Sequence, residues 1–149
     1  MKFAVLITFL VLSVSLHAAT PEQEKTFLDN YRKALESNDT KSLSANLYTV
    51  GAPPKLAEFF TMMVTLPIPP GSKLSSVELV TPSPEELTKM NEPKAMPDGQ
   101  TYVMPLKPIK QLVITVENSD PTRAGKNTSK LPIAEKDGKL VIPVPVLAK

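Results

Sequence analysis

The 149-residue chain is 42% apolar, has a net charge of +2 and contains no cysteine. Those values fit one packed domain without disulfides, and they exclude thiolate metal sites and thiol nucleophiles. Two of its 17 cations are arginine, and no run of lysine or arginine forms a stripe, which argues against a nucleic-acid surface.

Aromatic residues make up 5% of the chain and tryptophan is absent, so the core must be mainly aliphatic. The 16 prolines are spread along the sequence and mark element ends and irregular edges.

The N-terminus reads as an export signal. Lys2 supplies the positive charge, residues 3–16 form an apolar run, and His17-Ala18-Ala19 ends it with small residues. A membrane span usually needs about 20 apolar residues, so a cleaved leader is expected over residues 1–19, with cleavage after Ala18 or Ala19. The mature domain is then 20–149, located in the periplasm or outside the cell, with no stable membrane anchor. His17 is the single histidine and leaves with the leader. Ser-His-Asp catalysis, Cys-His catalysis and imidazole zinc sites leave with it.

Helices are predicted first. Thr20, Pro21 and Gln23 form a capping box with proline in the first turn. Phe27, Leu28, Tyr31, Ala34 and Leu35 recur at helical spacing to about Ser37 and should pack on a sheet. Asp39 or Thr40 caps a short second helix predicted to reach Leu47. After the turn Gly51-Ala52-Pro53-Pro54, a third helix presents Leu56, Phe59, Phe60, Met63 and Val64 and ends before Pro67.

Strands follow. Residues 75–81 alternate weakly, with Val77 and Leu79 inward. Ser83 and Pro84 begin a single helical excursion. Residues 91–99 are predicted as loop. Residues 101–106 form a strand with Tyr102, Met104 and Leu106 on one face, placed at an edge by Pro105.

Residues 110–117, KQLVITVE, carry the cleanest period-two alternation, with Leu112, Ile114 and Val116 on one side. This strand is expected at the centre of an antiparallel sheet. A long polar loop over 118–129 should separate it from a last pair, 130–134 and 139–144. Asp137-Gly138 between that pair is a two-residue hairpin signal. Pro143 and Pro145 put the final strand at an edge or take it out of the sheet. Helices first and a meander after them define an α+β fold.

Few residues suggest chemistry. Gly125-Lys126 lacks the earlier glycine and the following Ser/Thr of a phosphate loop. Arg123, Lys126 and Lys130 could attract an anion but are better read as a solvated hairpin loop. Glu85 and Glu86 suit the first turn of a helix. Asp98, Asp120 and Asp137 suit turns, and Glu78 and Glu117 face away from the core. Met62, Met63, Met90, Met96 and Met104 lack Met-x-Met clustering and read as core filler, not copper ligands. The two sequons, at Asn38 and Asn127, matter only in a eukaryotic secretory pathway.

The stretches FLDNYRKALESNDTKSL, SVELV, KQLVITVE and KLPIAEKDGKLVIPV, in that order, resemble the cystatin-like, nuclear-transport-factor-2-like superfamily. The resemblance implies N-terminal helices packed on a curved antiparallel sheet, with a pocket between them. Enzymatic members commonly use a pocket Asp or His with Tyr; no histidine remains here and no Asp matches a motif, so no functional residue is carried over.

The expected function is therefore an exported, non-enzymatic small domain that binds a small ligand or a protein partner, without cofactor or metal. Tyr31, Tyr48 and Tyr102 are the candidate pocket residues, and a homodimer is compatible with the sequence. A proton-transfer enzyme of isomerase or lyase type, built on a carboxylate and a tyrosine, is the alternative. A structural or interaction domain with a filled core is the third.

Overall fold

A computed structural model describes residues 19–120, 122 and 125–149. Residues 1–18 of the stretch expected as a leader, and Arg123 of the basic hairpin, lie outside the described residues. Among the described residues, the elements run α1 (Pro21–Glu36), α2 (Thr40–Ser44), β1 (Leu47–Tyr48), α3 (Pro54–Val64), β2 (Ser72–Val80) and α4 (Pro84–Asn91). They continue as β3 (Lys94–Ala95), β4 (Thr101–Val103), β5 (Lys110–Asn118), β6 (Lys126–Lys136), β7 (Lys139–Pro143) and β8 (Val146–Leu147).

The helix starts follow local chemistry. Thr20 accepts the Gln23 backbone N–H at 3.2 Å while the Gln23 side chain accepts the Thr20 N–H at 2.7 Å. Ser83 and Glu86 repeat this reciprocal capping at α4. Asp39 caps α2, but the helix stops at Ser44, short of Leu47. The Asn46 side chain terminates it by donating to the Ser42 carbonyl at 2.8 Å. That frees Leu47 and Tyr48 to form β1.

The sheets depart from the expected meander in three ways. The larger sheet has the order β1-β7-β6-β5-β2, so β6, not β5, is the central strand. β1 pairs with β7 in parallel, so this sheet is mixed. A separate sheet, β3-β4-β8, takes in Lys94–Ala95, expected as loop, and confines the strand expected over 101–106 to Thr101–Val103.

Pro143 explains the exit from the larger sheet. Ile142 and Val144 donate their N–H groups to the carbonyls of Asn46 and Tyr48, at 2.8 and 3.0 Å. Pro143 between them has no N–H for the opposite side, and the β6 ladder has already ended at Val141. β7 is therefore flanked on both sides, and the chain beyond it joins the small sheet as β8.

The Asp137-Gly138 hairpin forms as expected, with φ of +52° and +74°. Both values are positive, as a type I′ turn requires. The long loop before β6 is shorter than predicted because pairing with β5 begins at Lys126 opposite Glu117.

The register defines the two faces of the larger sheet. Leu112 lies opposite Leu79 and Leu131, and Ile114 opposite Val77 and Ser129. This inner face meets α1, which contacts both β7 and β2 and so crosses the strands between them. Tyr31 and Ala34 of α1 are buried against Leu112, Ile133 and Ile142, all three fully buried. Phe27, Leu28 and Leu35 pack around them, as the helical stripe predicted. Lys110 ties the strand to α1 through Glu24 at 2.7 Å.

The outer face alternates out of phase. Gln111 Nε2 donates to Met90 Sδ at 3.5 Å, which puts α4 on this side. α3 departs from expectation: Val64 is buried, but Phe59 is 51% exposed. The helix carries apolar residues around more of its circumference than one face can bury.

Ile133→Ala, in the central strand, is expected to destabilise the fold by about 2–5 kcal/mol, and the half-buried outer-face change Val113→Ala by about 1 kcal/mol. Urea unfolding of the two variants checks the ranking.

Candidate functional site

β6 is covered along half its length. Lys126 to Lys130 are exposed, whereas Leu131, Ile133 and Ala134 are buried. Where the cover ends, α1, α3 and the connector after α3 border a partly open cavity of about 510 Å³ on the inner face. Its size falls within the usual range of small-molecule sites, about 300–1,000 Å³.

Leu35, Met63, Val64, Ile114, Val116 and Leu131 form most of the wall, and Leu66 to Pro69 close one side. Asn127 and Ser129 stand opposite Val116 and Ile114 in the register, so both project onto the cavity side. With Ser72 they supply polar groups at the rim. Lys130 also borders the cavity, but it alternates out of phase with Ser129 and Leu131 and pairs with Val113. It lies near enough to Glu86 of α4 to help hold that carboxyl below its ordinary value, behind the larger effect of the Ser83 hydrogen bonds. Its charge therefore belongs to the outer face.

Tyr31 borders the cavity but is 1% exposed, so it presents almost no surface to it. Among the described residues, its hydroxyl is the buried side-chain polar atom with no hydrogen-bond partner. Burial pushes its pKa up to about 12, so the group remains a neutral donor across the physiological range. An unpaired buried hydroxyl costs about 1–3 kcal/mol. The helical repeat predicted that Tyr31 would face the sheet; nothing local signals that its hydroxyl meets no acceptor there.

The other two tyrosines lie elsewhere. Tyr48 is in β1 opposite Pro143 and borders none of the cavities described here. Tyr102 is in the small sheet, and its hydroxyl donates to Asp98 Oδ2 at 2.7 Å. This exposed carboxylate–tyrosine pair is poorly set for proton transfer. The Gln100 backbone N–H and the Tyr102 hydroxyl lower the Asp98 pKa, and the same contact with Asp98 raises that of Tyr102. Each group is thereby a weaker base or acid than in isolation.

Other charged residues fall into structural roles. Asp120 caps its own turn by accepting the Thr122 N–H at 2.8 Å. Glu85 pairs with Lys89 at 2.8 Å, and Lys126 with Glu117 at 3.1 Å. Lys126 is a strand residue, not a member of the loop expected over 118–129, and Lys130 lies in the same strand. Among the described residues, no group of three or more His, Cys, Asp or Glu converges as a metal site, and no helix is long and apolar enough to cross a membrane.

A second, smaller cavity of about 270 Å³ lies between α3, α4 and the small sheet, lined by Phe59, Phe60, Met90, Met96 and Tyr102. The expected strand face of Tyr102, Met104 and Leu106 contributes Tyr102 and Met104 to it.

No protein-family model, curated protein or solved structure matches the chain.

Tyr31→Phe is expected to stabilise the unliganded protein by about 1 kcal/mol near neutral pH, because it removes a donor that has no acceptor. The raised pKa adds a pH signature with a definite sign. Below pH 10 the phenol is neutral in both folded and unfolded chains. As the pH rises from 10 towards about 12, only the unfolded chain sheds the proton, so wild-type stability falls. The phenylalanine variant should lack that loss, which is on the order of 2 kcal/mol. Urea unfolding at neutral and strongly alkaline pH measures both effects.

Proposed function

We propose that this chain is an exported, non-enzymatic domain that binds a small, mainly apolar ligand in the cavity between α1, α3 and the inner face of the larger sheet. The observation that carries this reading is the largely aliphatic wall of a partly open, 510 Å³ space at the edge of the inter-layer core. An apolar guest would cover Leu35, Ile114, Val116 and Leu131, and burying that surface favours binding by about 25 cal/mol per Å² before the costs of ordering the guest. The rim residues Ser72, Asn127 and Ser129 can remain hydrated while the guest sits below them.

The same proposal assigns the architecture to the cystatin-like, nuclear-transport-factor-2-like superfamily. Support comes from the order of two helices, a short strand, a third helix and then the strands of a sheet packed against them.

Export rests on the leader-like residues 1–19. Ala19 packs against the core, and the Thr20 N–H donates to Gln23 within the α1 cap. Cleavage after Ala19 would replace that amide with a charged amine at the positive end of the helix dipole, whereas cleavage after Ala18 preserves the cap. The intact mass of the secreted protein should therefore correspond to a chain beginning at Ala19.

Titration with the apolar fluorophore N-phenyl-1-naphthylamine tests the binding reading. One equivalent should bind with a rise in emission. Ser129→Trp, at an exposed strand position on the cavity side, should reduce that binding at least tenfold and leave the unfolding midpoint nearly unchanged. Absence of saturable binding, or equal binding by the variant, overturns the reading.

A further inference from the structure

β2 ends the larger sheet and pairs on one side only, with β5. Among the described residues, its one further backbone–backbone hydrogen bond runs from the Ser72 N–H to the Pro69 carbonyl, at 2.9 Å. The other edge strands, β1, β3 and β8, have two residues each, whereas β2 has nine. An open edge of that length, about 30 Å, is a template for another strand unless something blunts it.

We infer that β2 pairs antiparallel with β2 of a second copy of this chain, about a two-fold axis between Ser75 and Ser76, and that the two five-stranded sheets become continuous in a homodimer. The inference is independent of the ligand-binding proposal.

The bulge in β2 selects a second copy over an ordinary strand. The register with β5 shifts between Leu74 and Ser76, which leaves Ser75 as an extra residue. Leu74, Val77 and Leu79 therefore follow Val116, Ile114 and Leu112 on the inner face, while Lys73, Ser76 and Glu78 follow Glu117, Thr115 and Val113 on the outer face. A regular strand added to this edge would be in phase with one half of β2 and out of phase with the other. A second β2 is interrupted at the same place. About the stated axis the two interruptions meet and both halves stay in phase, with Leu74 opposite the partner's Val77 on the inner face.

The charges agree with the same register. Lys73 falls opposite the partner's Glu78, and symmetry repeats the pair on the other side of the axis. Both residues are exposed, and among the described residues neither forms an ion pair. Glu117, which lies across β5 from Lys73, is engaged by Lys126 at 3.1 Å. The outer row of the joined sheets then alternates in sign: the partner's Glu78, Lys73, Glu117, Lys126. Opposite charges directly across a strand pair favour it, and like charges oppose it.

The edge is also accessible. Lys73, Ser75 and Glu78 are exposed, and Val80 is 41% exposed. α1 contacts β2 from the inner face, and a two-fold axis perpendicular to the sheet keeps the helices of both copies on that face. A contact made by one strand from each copy is small, so the dimer belongs to the weak, concentration-dependent class.

Sedimentation equilibrium of the secreted protein tests this. The weight-average mass should rise from monomer towards dimer between about 1 μM and several hundred μM, the range of a small interface. Lys73→Glu or Glu78→Lys alone makes both symmetry-related pairs like-charged and should raise the dimer dissociation constant at least about tenfold. An equimolar mixture of the two variants restores opposite charges at both pairs and should dimerise like the wild type. Unchanged urea midpoints for the two exposed-site variants report that each is folded. Hydrogen exchange of the wild type should slow in β2 as the concentration rises, and not in β8.

A monomer at every concentration overturns the inference. A dimer that persists in both single variants overturns it as well, as do single variants that remain monomeric when mixed.

Discussion

The structure depends on helical cover that extends over only part of the larger sheet. The two faces of that sheet differ in kind: Leu112, Ile133 and Ile142 on the inner face are sealed by α1, while Gln111, Lys130 and Glu117 turn outward. Strand alternation makes this division unavoidable once the register is set, because a one-residue slip would send every apolar side chain to solvent. The register is held by the β6–β7 turn at one end and by the long β2–β5–β6 ladders at the other. Along β6 the burial changes abruptly between Lys130 and Leu131. On one side of that boundary is a close-packed core; on the other, the sheet continues without a helix against it.

The cavity lies at that boundary. It is bounded by what the helices cannot reach: α3 ends at Val64, and the proline-rich connector that follows spans the gap without regular structure. Prolines at 67, 69 and 70 prevent the helix from continuing across the opening. A longer α3 would have filled the space with side chains. The helix borders the inner-face cavity through Met63 and Val64 and the smaller one through Leu56, Phe59 and Phe60, and its Phe59 remains 51% exposed.

Tyr31 links packing to chemistry. Its ring belongs to the core and lies 5.8 Å from that of Phe27. Its hydroxyl is a polar group in a place where phenylalanine would pack equally well. Natural cores rarely keep such an atom unpaired, and function is a common reason when they do. By contrast, three of the carboxylates singled out here find partners close in the chain: Asp98 with Tyr102, Asp39 with Ser42, Glu86 with Ser83. Those contacts shape turns and caps, and they account for the placement of these carboxylates.

The sequence by itself determined whatever depends on neighbours in the chain. The Thr20–Gln23 capping box, the Ser83 cap, the positive-φ turn at Asp137-Gly138 and the inward stripe of α1 were legible, because a few adjacent residues decide each of them. The alternation of Leu112, Ile114 and Val116 was legible for the same reason, although the place of that strand in the sheet was not. Only the tertiary structure decided that β6 is central, that Leu47–Tyr48 joins β7 in parallel, and that the chain after Pro143 passes into a second sheet. Each of these depends on a partner distant in sequence. The solitary hydroxyl of Tyr31 belongs with them: whether a buried donor has an acceptor is a property of everything packed around it, and no stretch of sequence contains that information.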